Sequence, residues 1–262
     1  MPSLFSRFAE LRSRRILERH PIPDAAWERA VADRPILRKL DADELRRLRA
    51  LATVFLHDKT FHCVQGAEID EDFTVAVAAL GCLPVLELGL RWYSDWKTII
   101  VAPDAYEITR SETDEAGVVH EYQDELGGEV LHIGPVVLSR TDADEAGRGD
   151  GYNVVVHELA HKIDGRSGSF DGCPPLPPDI SLDEWRTAFS AAYDRMRAAP
   201  RRGRSGRIRI DSYAAFSPDE FFAVCVEYFF DNPVVLRGDF PDVYALLSRF
   251  FRQDPFARLS RR

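Results

Sequence analysis

Cysteine is scarce in this 262-residue chain: Cys63, Cys82, Cys173 and Cys225 stand far apart, with no CxxC pair among them. That spacing excludes a thiolate zinc knuckle and offers no redox couple. Cys82 and Cys225 lie in apolar runs and read as small core residues. Long hydrophobic runs are also missing. The most apolar stretch, Phe73 to Leu90, is broken by Gly81, Pro84 and Glu87, and its pieces are too short to span a bilayer. The first residues, MPSLFSRFAELRSRR, lack the uninterrupted apolar segment of a secretory signal. A cytoplasmic protein without membrane attachment is the expectation.

Positive charge is short as well: 34 Lys+Arg against 43 Asp+Glu leave a net charge of -9. The deficit is local. Residues 50–194 carry 9 basic and 27 acidic side chains, whereas residues 1–49 carry 12 and 8, and residues 195–262 carry 13 and 8. An acidic middle argues against direct nucleic-acid binding. The exception is the strip from Arg195 to Arg209, with seven arginines and no acid. It is a candidate contact for an anion or a partner, although a solvated loop is the simpler reading. What the chain does have, 45% hydrophobic and 11% aromatic residues, is enough for a sizeable core and excludes disorder as its main state.

Periodicity predicts helices over most of residues 2–56. DADELRRLRALATVFL aligns Leu45, Leu48, Leu51 and Leu56, with Asp41 or Asp43 able to cap its start, and Pro21, Pro23 and Pro35 separate shorter helices before it. A buried helix is expected from Phe73 to Leu83, ended by Gly81 and Pro84. Strand patterns follow in KTIIVAP (97–103), GVVHEYQ (117–123) and VLHIGPVVLS (130–139). After a Pro/Gly-rich loop at 168–179, helices return in LDEWRTAFSAAYDRM and SPDEFFAVCVEYFFD. The layout is α+β: an N-terminal helical region (1–60) packed on a larger unit (61–262) with a small mixed sheet.

One segment carries recognisable chemistry. In VVVHELAHKID (154–164), a helix capped by Asn153 and followed by Gly165 places His157 and His161 one turn apart on one face. Two imidazoles at that spacing can converge on one zinc ion, and Glu158 can act as general base toward a water at the remaining position. Val154, Val155, Val156, Leu159, Ala160 and Ile163 make nearly every other face apolar, so the helix is expected to be buried. Polar groups there need partners, which a metal would satisfy together.

A third ligand has two local candidates. In SPDEFFAVCVEYFFD, Glu220, Glu227 and Asp231 recur at spacings of seven and four, a narrow acidic stripe on an otherwise apolar helix. Ser217 to Glu220 also reads as a capping box with proline at the first helical position, which gives Glu220 a competing structural role. Glu227 is the rival ligand. Two turns, about 10.5 Å of rise, separate the two carboxylates, so one ion is not expected to take both.

Beyond the motif, CLPVLELGLRWYSDW (82–96), GPVVLSRTDA (134–143), GYNVVVHELAHKIDG (151–165), CPPLPPD (173–179), YAAFSPDEFFAVCVEYFF (213–230) and FRQDP (251–255) occur in an order that resembles the Mlc titration factor A family of bacterial zinc peptidases. The likeness runs over nearly the whole chain. That family is similar in its catalytic core to the metallopeptidase domain of anthrax lethal factor, which implies a zincin-like (gluzincin) fold. It implies one Zn2+ held by His157, His161 and Glu220, with Glu158 as general base. Tyr213, seven residues before Glu220, would be a phenol that stabilises the reacting carbonyl. Glu227 would then support rather than bind the metal, and Asp164 would either orient a ligand imidazole or sit exposed at the helix end. The resemblance implies an aminopeptidase-like activity on a peptide or protein substrate. It also implies an alternative regulatory role, in which the protein sequesters a glucose-responsive transcriptional repressor. A purely structural zinc closed by Cys173 is a third, weaker reading.

Overall fold

The computed structural model describes residues 4–104, 106–113, 119–126, 134–198 and 208–260. The prolines divide the N-terminal region as expected, into α1 (Leu4–Arg19), α2 (Asp24–Ala32), α3 (Pro35–Arg38) and α4 (Ala42–Asp58). Asp41 is the residue that caps α4. Its side chain accepts from the amides of Asp43 (2.9 Å) and Glu44 (2.8 Å), and Glu44 reaches back to the Asp41 amide at 2.9 Å. Both orphan ends of the capping box are thereby satisfied.

The chain then alternates: β1 (Thr60–Cys63), α5 (Glu71–Cys82), β2 (Thr98–Ala102), β3 (Tyr106–Thr113), β4 (Val119–Leu126) and β5 (Val136–Ser139). Among the described residues the expected mixed sheet consists of two separate pieces. β1, β2 and β5 form a parallel sheet with β2 central, Phe61 opposite Ile99 and Ile99 opposite Val136. β3 and β4 form an antiparallel pair, Tyr106 opposite Leu126. Parallel neighbours require long crossovers; α5 lies in the first, and the β3–β4 pair lies in the second. The expected strand at 97–103 is β2. The other two strand expectations fall partly on 117–118 and 130–133, outside the described residues, and continue as β4 and β5. β1 has no sequence signal of its own, since only Phe61 of its four side chains is even half-buried.

The remaining helices are α6 (Arg140–Glu145), α7 (Val154–Asp164), α8 (Leu182–Ala198), α9 (Pro218–Asp231), α10 (Pro233–Asp239), α11 (Pro241–Phe251) and α12 (Pro255–Leu259). No helix of the described residues is long and apolar enough to cross a membrane. α7 and α9 cross in the interior. Val156, Leu159, Ala160 and Ile163 of the first, and Phe221, Phe222, Phe229 and Phe230 of the second, are buried. Gly81 allows α5 to pack directly on α7, because a side chain there would collide with Leu159. The aromatic layer extends through Trp185, stacked on Phe189 with ring centres 4.3 Å apart, to Phe250 and Phe251. This helix-dominated α+β arrangement is a zincin-like one, with a small sheet beside the crossed pair.

The chain's two ends are joined by one buried ion pair. Arg258 donates to Glu44 Oε1 at 2.8 and 3.1 Å and to Gln253 Oε1 at 3.0 Å, while Gln253 donates to the Leu83 carbonyl at 2.9 Å. Glu44 thus serves the α4 cap with one oxygen and α12 with the other. Arg258→Ala would remove the guanidinium that faces the buried Glu44 carboxylate, and is expected to destabilise the protein by about 3 kcal/mol. A lowered urea midpoint with unchanged slope would show it; an unchanged midpoint would mean that Glu44 finds water instead.

Candidate metal centre and active site

Asn153 and Ser217 set the two helix starts. The Asn153 side chain accepts from the Val156 amide at 3.1 Å, and the Ser217 hydroxyl from the Glu220 amide at 3.4 Å. Ser217 caps α9 without a reciprocal bond from Glu220, whose carboxylate points instead at the two histidines of α7. Glu220 Oε2 lies 3.0 Å from His157 Nε2 and 3.4 Å from His161 Nε2, and the two Nε2 atoms are 3.2 Å apart. Among the described residues these three form the one group of acids, histidines and cysteines able to hold a metal together.

The other side of His157 decides how this cluster is charged. His157 Nδ1 lies 2.7 Å from Glu227 Oε1, so the imidazole proton belongs on Nδ1 and donates to that carboxylate. Glu227 Oε2 also accepts the Asn153 amide at 2.7 Å, which ties the acid to the start of α7. With Nδ1 protonated, a neutral His157 presents a lone pair at Nε2 to another imidazole nitrogen and a carboxylate oxygen. Three such donors face one another only with a cation among them. Two imidazoles and a carboxylate are the donor set that suits zinc and similar divalent metals. Burial opposes a charged His157, but Glu227 and Glu220 outweigh it and raise its pKa well above the ordinary range. Burial likewise works to raise Glu220, yet hydrogen bonding to His157 and His161 prevails and holds it well below the usual carboxylate range.

The acidic stripe of α9 is therefore divided among three partners. Glu220 faces the imidazoles, Glu227 holds His157 from behind, and Asp231 accepts from the amides of Gly149 (3.0 Å) and Gly151 (2.7 Å). Gly151 has φ 102° and packs against the Tyr228 ring, where any side chain would collide. That close approach brings the loop before α7 onto α9.

Glu158, one residue after the first histidine, is 1% exposed and its Oε2 has no hydrogen-bond partner. Burial pushes its carboxyl up to about 8, with Glu220 and Glu227 adding to the effect and His157 and Lys162 opposing it. A cation among the three donors would draw that value down. Tyr213 is placed by a 3-10 turn (Ser212–Ala215), capped by Asp211, which accepts the Tyr213 amide at 2.8 Å. Its ring centre is 6.1 Å from that of His157, and the side chain is 40% exposed, so the phenol borders the cluster from the solvent side.

Asp164 is not at an exposed helix end: it is fully buried. It accepts the Gly172 amide at 2.9 Å, and burial raises its carboxyl to about 7 against that bond. Gly172, at φ 73°, packs on the Pro218 carbonyl, so Asp164 fastens the 168–179 loop between the end of α7 and the start of α9. Cys173 belongs to this loop, outside the His157–His161–Glu220 group. The arginine strip is anchored at both ends on Asp239. Arg195 donates to its carbonyl at 2.7 Å, and Arg209 to its carboxylate from both backbone (2.7 Å) and side chain (3.1 Å); residues 199–207 lie outside the described residues.

The roles of Asn153 and Asp231 had no sequence signal beyond a helix cap and membership of the stripe. Lys162 had none either: it is buried, and its ammonium group donates to the Gly134 carbonyl at 2.8 Å, just before the edge strand β5.

Two crossed buried helices carrying a His–Glu/His cluster opposite a glutamate define a metallopeptidase, and the chain belongs to the family of glucose-regulated metallopeptidases M90, whose model matches residues 8–252. Its relatives include proteins named Mlc titration factor A. That of Enterobacter sp. (strain 638) is 35% identical over 239 residues, covering 90% of both chains. That of Klebsiella pneumoniae (strain 342) is 35% identical, covering 89% of this chain and 88% of the relative. That of Escherichia fergusonii is 34% identical over the same shares.

Proposed function

We propose that this protein is a zinc-dependent peptidase of aminopeptidase-like specificity. The observation that carries the reading is the convergence of His157 Nε2, His161 Nε2 and Glu220 Oε2 within 3.4 Å of one another, next to the buried, unpartnered carboxyl of Glu158. His157, His161 and Glu220 would hold the ion, with Glu227 fixing the His157 tautomer. A zinc ion in that place supplies Lewis acidity, polarising a carbonyl and lowering the pKa of a water toward about 7.

Glu158 takes a proton from the attacking water and passes it to the leaving amine. Its burial keeps the carboxylate short of competing partners. Tyr213 donates its phenolic proton as a hydrogen bond to the developing oxyanion. An extended peptide would add to the free edge of β5, which among the described residues has one neighbour, β2. A groove lined by Trp96, Gly134, Pro135, Lys162 and Phe170 runs beside the start of that strand. The acid-rich middle of the chain favours a substrate with a free ammonium group, which supports exopeptidase action.

The test is metal content together with hydrolysis of fluorogenic aminoacyl and internally quenched peptides. One zinc per chain and cleavage of the aminoacyl series are expected. Cleavage of internal bonds alone would remove the aminopeptidase assignment, and full activity after chelation has stripped the metal would remove the zinc assignment.

The relatives' shared name supports a second reading, that the chain binds an Mlc-like transcriptional repressor in the cytoplasm. A repressor captured equally by the wild type and by a Glu158→Gln protein would separate that role from hydrolysis.

A further inference from the structure

A second cavity, of about 230 Å³, lies where α2, the start of α5 and α6 meet, and none of the residues of the metal cluster lines it. Four arginines border it: Arg29, Arg34, Arg140 and Arg148. Two of them have their charge met. Arg29 makes a two-pronged pair with Asp72 at 2.6 Å on each prong, and Arg148 pairs with Glu145 at 2.8 Å.

Arg34 does not, and Arg140 meets its acid through Nε alone. Arg34 is 6% exposed and, among the described residues, has no carboxylate within ion-pairing distance. Its one bond is a 3.5 Å contact from Nη1 to the Ala30 carbonyl, and its Nε has no partner. Arg140 stacks its guanidinium over the Phe73 ring at 4.3 Å and reaches Asp144 with Nε at 3.2 Å, yet its buried Nη1 has no partner. Of the four acids on the cavity wall, Asp72 is held by Arg29, Asp70 caps α5 by accepting the Phe73 amide at 2.8 Å, and Asp144 pairs with Arg140, while Asp33 is exposed to solvent.

A buried guanidinium without a counter-charge is far more costly than one in water, and its planar fork matches a phosphate or carboxylate group. We propose that this cavity binds the oxyanion group of a small metabolite, a phosphate or a carboxylate, with Arg34 and Arg140 as its charged donors. Burial depresses the Arg34 pKa and Arg148 adds to the effect, while Asp33 and Asp144, beyond ion-pairing distance, oppose it.

The full-length, zinc-loaded protein would be titrated with inorganic phosphate, and separately with malonate, by isothermal calorimetry at constant ionic strength. Saturable one-to-one binding of at least one anion is expected, and the tighter of the two identifies the headgroup. Arg34→Met keeps the length of the side chain and removes the charge; Arg140→Gln removes the second charged donor. Each is expected to weaken binding by roughly tenfold or more, the scale of one charge-assisted hydrogen bond. Circular dichroism identifies the variants that fold, and either folded variant suffices for the comparison. Absence of saturable binding by both anions would overturn the proposal. So would wild-type affinity in the folded variants, which would place the anion elsewhere, the metal centre included.

Discussion

Replacing Glu158 by glutamine is expected to lower peptide turnover by about 10³-fold while leaving metal binding intact, because general-base catalysis contributes on the order of 10² to 10⁴. The carboxyl lies outside the His157–His161–Glu220 group, so its loss removes no ligand. Glutamine has nearly the same shape and fits the same buried place, but its amide accepts no proton from water. A fall in kcat with KM nearly unchanged would mark a group acting in the transition state. Zinc stoichiometry and melting temperature would be read alongside. Turnover within a factor of a few of wild type, in a preparation free of contaminating peptidase, would remove Glu158 from the reaction.

Glu220→Ala is expected to have the second large effect, on metal affinity. Groups that merely orient a ligand typically change affinity 10- to 100-fold, so loss of a direct ligand should exceed about 100-fold. Glu227→Gln supplies the contrast. Glu227 accepts both the His157 Nδ1 proton and the Asn153 amide, one on each oxygen. A glutamine has a single acceptor oxygen and would turn an N–H toward one of those donors. Its expected cost is therefore about 10- to 100-fold, smaller than that of Glu220→Ala. Competition with a chromophoric chelator measures all three proteins on one scale. Unchanged affinity in Glu220→Ala with a large loss in Glu227→Gln would exchange the two assignments.

Local physics is legible in this chain. Asn153 before Val154 and Ser217 before Pro218 mark helix starts, and both side chains cap as their residue types suggest. Prolines at 21, 23 and 35 separate the first helices, and the buried character of α7 follows from its apolar residues. Strand β1 was not legible, because a four-residue segment with exposed side chains owes its pairing to β2 rather than to its own pattern. The sequence leaves Asp164 open between a buried and an exposed role for a similar reason: its burial depends on a loop that returns from Gly172, and no periodicity records that return.

The sequence by itself determined the pair of imidazoles on one face of α7, the acidic stripe on α9 and the apolar surroundings of both. These depend on helical repeat and on residues a few positions apart. The tertiary structure decided which acid faces the imidazoles and which stands behind one of them. Glu220 and Glu227 occupy the same stripe, and only the placement of α9 across α7 brings the first to Nε2 and the second to Nδ1 of the same ring. It also decided that Arg34 is buried without a counter-charge. Such choices lie in distances between elements remote along the chain, and those are set by the packing of the whole core.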